Sequence, residues 1–205
     1  MSFLTKVKLG QVSNLSDARY AAAVGIDYIG FCFDPTNENY IAPIKAKEMM
    51  DWVTGSHLVA EFGEQPFNEI KDISELLKVD VIELNNSILP DELPALGKAI
   101  IKKIDVNQFT PETLAIEIKA YAGYCDAFHL YASSLPEKYD CVDMVNLCHA
   151  YQIIWGLQLS THSLLNTLES FKPFAINLTG GDEEQIGVKD FEGLNELLEL
   201  ITLAD

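Results

Sequence analysis

A parallel α/β chain closing into a (β/α)8 barrel is the fold class this sequence predicts, and three observations carry it. Short apolar runs alternate with helical patterns along the whole chain. The units number eight and recur at roughly 25 residues, a rhythm that implies a parallel sheet with right-handed crossovers. No Ser/Gly-rich or Pro-rich linker and no block of like charge interrupts them, so residues 1–205 read as one domain. An open doubly wound sheet fits the same alternation. Against it, the first strand-to-helix turn, "LGQVSNLSD", has no G-x-G-x-x-G.

The elements follow from local chemistry. Strands are expected at Val7–Val12, Asp27–Phe33, His57–Phe62, Val79–Leu84, Ala99–Val106, Asp126–Ala132, Gln152–Leu157 and Pro173–Leu178, most of them too short for a core helix and rich in Val, Ile and Phe. Ser16 or Asp17 is placed to cap a helix over Ala18–Val24 that Gly25 ends. Pro43 precedes a helix over Ile44–Val53, closed by Gly55. Pro66–Leu77 puts Ile70, Ile73 and Leu77 on one face, and Leu89–Leu96 carries a weaker pattern. Thr110-Pro111-Glu112 is an N-cap, a first-turn proline and an acid, leading into Leu114–Tyr121. Helices over Tyr139–Tyr151, Ser163–Phe171 and Asp190–Leu203 complete the set.

Composition excludes several function classes. A net charge of −17 repels phosphate backbones and anionic membranes, so neither nucleic acid nor membrane is an expected partner. It also opposes long-range capture of a phosphorylated substrate, although backbone N–H groups act at contact distance and override it locally. The N-terminus lacks the apolar core of a signal peptide and no run reaches the length of a membrane span, so a cytoplasmic protein is expected. Cys32, Cys125, Cys141 and Cys148 show no C-x-x-C spacing and read as free structural thiols. No His/Cys/Asp spacing suggests a metal, no P-loop or Ser/His/Asp triad is present, and no cofactor is expected.

Lys8, then Asp17-Ala18-Arg19, then "AAAVGIDYIGFCF" and "NENYIAP", with "NLTGGDEEQIGVKDFEGL" near the end, resemble the phosphoribosylanthranilate isomerase family in order and spacing over essentially the whole chain. The family carries K-[IV]-C-G-[IL]-T, D-A with an Ala-rich helix, G-A-D-x-[IL]-G-F-x-F, S-P-R-Y-[IV], and late D-[VL]-S-S-G-[VI]-E and G-x-K-D. The resemblance implies a barrel of tryptophan biosynthesis that converts an aminoaldose to an aminoketose, an Amadori rearrangement. That reaction needs a base and an acid, which the resemblance assigns to a Cys ending strand one and an Asp ending strand six.

Here those positions are Gly10 and Tyr131. Glycine has no ionisable group, and a phenol with an ordinary pKa near 10 suits the acid role poorly. The Arg that the resemblance assigns to the anthranilate carboxylate is Asn39. The family's Q-L-H-G is "ELNN", from Glu83 to Asn86, and its G-G-T-G is "SSLPEKYD". Its G-G-L is "LQL", from Leu157 to Leu159. Only Thr179-Gly180-Gly181-Asp182-Glu183 keeps the character of a phosphate cradle.

Candidate catalytic groups are therefore Lys8, Tyr131 and His129. Lys8 is expected inside the barrel, paired with an inward carboxylate such as Glu83, or tuned by burial toward neutral pH as a surviving base. His129 and Tyr131 share one face of the sixth strand. Candidate ligand positions are Asn39, Glu83, Asn85, Gln158, Asn177, Thr179, Gly180 and Gly181, for a small phosphorylated or anionic ligand at the C-terminal face. Three readings stand: a family member inactive in the isomerisation; an active barrel isomerase or lyase on another sugar phosphate using Lys8 and Tyr131; and a non-catalytic binding or interaction protein. A monomer or a homodimer fits each.

Overall fold

The computed structural model describes residues 3–85, 88–179, 183–185, 188–189 and 192–203. Eight strands close a barrel: β1 (Lys6–Val12), β2 (Tyr28–Cys32), β3 (His57–Phe62), β4 (Val81–Leu84), β5 (Ala99–Asp105), β6 (Ala127–Ala132), β7 (Ile153–Leu157) and β8 (Ala175–Thr179). Every neighbouring pair is parallel, and β8 returns to β1 with Val7 opposite Ile176 and Gly10 opposite Thr179. The open-sheet alternative is thereby excluded. Helices α1 (Leu15–Val24), α2 (Pro43–Met50), α3 (Phe67–Leu77), α4 (Pro111–Tyr121), α5 (Cys141–Ala150), α6 (Thr161–Phe171) and α7 (Glu192–Ile201) alternate with the strands. A small antiparallel hairpin, β9 (Glu183–Gln185) with β10 (Val188–Lys189), follows β8.

Helix α1 starts earlier than expected. Its cap is Asn14, whose Oδ1 accepts the Asp17 N–H at 2.9 Å, rather than Ser16 or Asp17. Gly25, at φ 84°, ends it in the left-handed conformation. Helix α4 begins at Thr110-Pro111 as expected, with Thr110 and Thr113 exchanging backbone-to-hydroxyl hydrogen bonds. Between β4 and β5 the chain forms a 3-10 helix, Pro90–Leu96, in place of an α-helix. Pro94 accounts for this, because it lacks the N–H an α-turn needs.

A repeated brace fixes the N-terminal ends of the strands. Asp27, Asp80 and Asp126 immediately precede β2, β4 and β6. Their Oδ2 atoms accept the N–H of Val7 (2.9 Å), Leu58 (2.8 Å) and Ile100 (2.8 Å), and their own N–H groups donate back to the carbonyls of the same three residues. Phe174 holds the matching place before β8, and the Lys6 ammonium lies 4.5 Å from its ring. These acids stabilise strand pairing, as expected at the face of a barrel opposite its active site.

Two apolar regions result. The larger packs outward strand residues such as Leu9, Phe31, Ile82 and Leu130 against helix residues such as Ile70, Leu114 and Leu164. The smaller fills the lower barrel interior with Val59, Val81, Ile101, Ala127, Ile154 and Ala175. Strand side chains alternate, so the residue two further along each strand faces the same interior one step nearer the mouth. There the interior changes from apolar to charged.

Candidate functional site

One step above the apolar plug stand Glu61 (β3), Glu83 (β4), Lys103 (β5), His129 (β6), Gly156 (β7) and Asn177 (β8). Lys8 from β1 and Gly30 from β2 complete the ring. The two glycines are spacers. A Cβ on Gly30 would overlap the Glu61 carboxylate, and one on Gly156 would overlap the His129 ring.

Lys8 is fully buried at the centre of this layer. Its Nζ pairs with Glu61 Oε1, donates to Asn177 Oδ1 at 3.1 Å and lies 3.1 Å from Glu83 Oε2. The same Glu83 oxygen is 3.1 Å from His129 Nδ1, and Glu83 Oε1 is 3.9 Å from Lys103 Nζ. Two lysines thus face two glutamates, so the buried layer is formally balanced. The expected pairing of Lys8 with Glu83 is present, and Glu61 joins it.

The protonation states follow from this geometry. Burial alone lowers the Lys8 pKa, but the charges of Glu61 and Glu83 outweigh it, and the ammonium ends above its ordinary 10.5. The expected tuning toward neutral pH is therefore corrected: Lys8 holds its proton and is not a base near pH 7. Burial pushes Glu83 up, yet Lys8 first, then His129 and Lys103, carry it well below the ordinary carboxylate range. Burial lowers His129 below 6.5 against the pull of Glu83. A neutral ring donates Nδ1–H to the carboxylate and leaves Nε2 as an acceptor. That Nε2 is buried without a hydrogen-bond partner.

Tyr131 stands one step further up β6, half-buried, its ring 4.9 Å from Lys103 Nζ and 6.2 Å from the His129 ring. Burial, Asp105 and Glu83 all raise its phenol above 10, making it a weaker proton donor than a free tyrosine. With Lys103, Asp105, Asn85 and Glu64 it lines a cavity of about 250 Å³. Asn39 is carried to the end of β1, where its Nδ2 donates to Gln11 Oε1 at 3.3 Å. Thr179 is exposed beside Gly10, and Gln158 is exposed beyond β7, apart from the charged layer. Gly180 and Gly181, with Asn86 and Asp182, lie outside the described residues.

The end of β1 is irregular and crowded around the place that the resemblance assigns to the base. Gly10 has no side chain, and the room above it is taken. A Cβ there would stand 2.9 Å from Asn177 Oδ1, 3.1 Å from Glu61 Oε1 and 3.2 Å from Lys8 Nζ. Gln11 follows at φ 58°, left-handed although not glycine, with an irregularity in the β1–β2 register between Leu9 and Val12. The resemblance sets a glycine at this position, the G of C-G. The turn aims the Gln11 N–H inward, where Glu61 Oε2 accepts it at 3.1 Å.

Sequence reasoning missed Glu61 and Lys103, and read Cys32 only as a structural thiol without placing it in the barrel interior. For Glu61 the signal available was a lone carboxylate two residues beyond Val59; Lys103, two beyond Ile101, stands between Lys102 and Asp105, where no single inward charge is marked. Cys32 follows Gly30 at the next inward place on β2, but burial pushes its thiol up to about 11, so it is no thiolate base. All four cysteines are free. Among the described residues no group of three His, Cys, Asp or Glu could hold a metal ion, and no helix is long and apolar enough to cross a membrane.

No protein-family model matches the chain. Curated relatives do. The chain is 27% identical over 204 residues to the N-(5'-phosphoribosyl)anthranilate isomerase of Aquifex aeolicus, covering 95% of this chain and 97% of that one. The enzyme of the same name from Herminiimonas arsenicoxydans is 22% identical, with 98% and 94% covered. Among solved structures, phosphoribosyl anthranilate isomerase from Thermus thermophilus superposes with a TM-score of 0.78 at 24% identity, over 96% and 98% of the two chains. A phosphoribosyl anthranilate isomerase in complex with reduced 1-(o-carboxyphenylamino)-1-deoxyribulose 5-phosphate gives a TM-score of 0.80 at 18% identity, over 95% and 97%.

Proposed function

We propose that this chain, which belongs to the phosphoribosylanthranilate isomerase family, has kept the barrel and lost the reaction. The family's rearrangement needs a base to take the sugar C2 proton and an acid to protonate the ring oxygen. The first place is Gly10 and the second is Tyr131. One observation carries the reading: the position has no side chain, and even a Cβ at Gly10 would stand 2.9 Å from Asn177 Oδ1, 3.1 Å from Glu61 Oε1 and 3.2 Å from Lys8 Nζ. Lys8 in that cluster is no base, since its ammonium is held charged, and the Glu61 carboxylate is engaged by Lys8 and the Gln11 N–H. Each proton-transfer group typically contributes about 10²–10⁴-fold, so losing both removes most of the acceleration. The barrel then serves as a binding protein for a small phosphorylated or anionic molecule at its C-terminal face, with Thr179, Gly180 and Gly181 as the anion contact.

Complementation tests this. Expressed in a tryptophan auxotroph lacking the isomerase, the chain is expected not to restore growth; growth at ordinary expression refutes the reading.

A second reading, an active barrel isomerase on another sugar phosphate, is favoured by the Glu83–His129 pair. A neutral imidazole oriented by a carboxylate, with its second nitrogen uncommitted, has the form of a general base. Incubation with ribose 5-phosphate in D2O tests it. Exchange of the C2 proton that His129→Gln abolishes would support this reading, and absence of exchange would sink it for that substrate.

A further inference from the structure

The end of β1 presents two donors to the barrel interior. The first is the Lys8 ammonium, fully buried and held charged. The second is the Gln11 N–H, turned inward by a left-handed residue that is not glycine. A buried cation beside an inward backbone amide is the donor set of a carboxylate site, charge-assisted on one oxygen and neutral on the other. Glu61 occupies it, with Oε1 on Lys8 and Oε2 on Gln11. Gly30 on the adjoining strand lacks the Cβ that would block the path of the Glu61 side chain. Three separate features, the backbone turn at Gln11, the bare Gly30 and the orientation of Lys8, thus converge on one carboxylate.

We infer that Glu61 is a built-in ligand: the end of β1 is a carboxylate-binding site that the chain fills with its own side chain. Glu61 reaches the donors from β3 across Gly30. Being tethered, it excludes free carboxylates at any ordinary concentration, because an intramolecular partner acts at a high effective concentration. The site is therefore silent in the native chain and appears when the tether is cut. Glu61→Ala removes the CH2–COO⁻ group beyond Cβ, which acetate matches in size and charge and formate approaches. The inference stands apart from the loss of isomerisation, so restored growth of the auxotroph would refute that reading and leave this one in place.

Thermal unfolding of the purified full chain tests it, in sodium formate or acetate against sodium chloride at equal ionic strength. Glu61→Ala is expected to melt below the native chain in chloride and to recover at least half of the loss in 0.2 M formate or acetate. The native chain and the double variant Lys8→Met/Glu61→Ala are expected not to distinguish the salts. If Glu61→Ala does not fold in chloride, refolding in formate is the readout, with recovery expected only when Lys8 is present. In a sample enriched in ¹⁵N, the Gln11 amide of Glu61→Ala is expected to shift on adding formate. The inference is overturned if formate and chloride act alike on Glu61→Ala, if the double variant gains as much as the single one, or if the native chain responds equally.

Discussion

Replacing Lys8 with methionine removes one of the two lysines that balance Glu61 and Glu83 and leaves Lys103 alone against two carboxylates in the buried layer. Breaking a buried ion pair on one side typically costs about 3–5 kcal/mol, because the remaining charge is uncompensated. In a chain of this length each kcal/mol lowers Tm by about 2–4 °C, so a fall of about 6–20 °C is expected at pH 7. The effect depends on pH with a definite sign. In the native chain the Lys8 pKa lies above its ordinary 10.5, so its contribution is complete at every pH below that. Without Lys8, Glu83 loses its largest favourable charge while burial still pushes its pKa up, and its protonation relieves the repulsion as pH falls. The deficit of Lys8→Met is therefore expected to be smaller at pH 5 than at pH 8, and Lys8→Met/Glu61→Gln to recover part of it. Scanning calorimetry across that range is the assay. A fall below about 2 °C, or a deficit that grows toward pH 5, would refute the reasoning.

Further expectations follow from the same contacts. Glu83 sits below its ordinary 4.5, so its stabilisation is full above that pH and is lost as pH falls. Glu83→Gln is expected to flatten the acid limb of a Tm-against-pH curve. Gly156→Ala sets a methyl against the His129 ring and 3.0 Å from the Leu130 carbonyl oxygen. It is expected to cost about 1–3 kcal/mol in urea unfolding, as overpacking does. Gly97→Ala, at φ 64° but in open space, is expected to cost only about 1–2 kcal/mol, a strain of the backbone alone.

The fold was legible because each strand is a short apolar run bounded by turn chemistry, and because parallel strands buried on both faces need little else. Element ends moved where local competition decides them. Asn14 outranked Ser16 and Asp17 as the α1 cap, and Pro94 turned the segment between β4 and β5 into a 3-10 helix. The site was legible in part. Lys8, Glu83, His129 and Asn177 converge, since strand alternation fixes which residues face inward. Glu61 escaped because a single charge near the end of a strand reads equally as the start of a solvated loop, and Lys103 because Lys102 beside it leaves open which of the two faces inward. The protonation of Lys8 was beyond the sequence for the same reason: its direction depends on Glu61, a contact 53 residues away.

The measurement that bears most directly on the proposed loss of the reaction is turnover of N-(5'-phosphoribosyl)anthranilate by the purified chain. With neither a base at Gly10 nor a competent acid at Tyr131, kcat/KM is expected at least about 10⁴-fold below the usual enzymic range of about 10⁴–10⁸ M⁻¹s⁻¹. A value within that range, unaffected by Tyr131→Phe, would contradict the account.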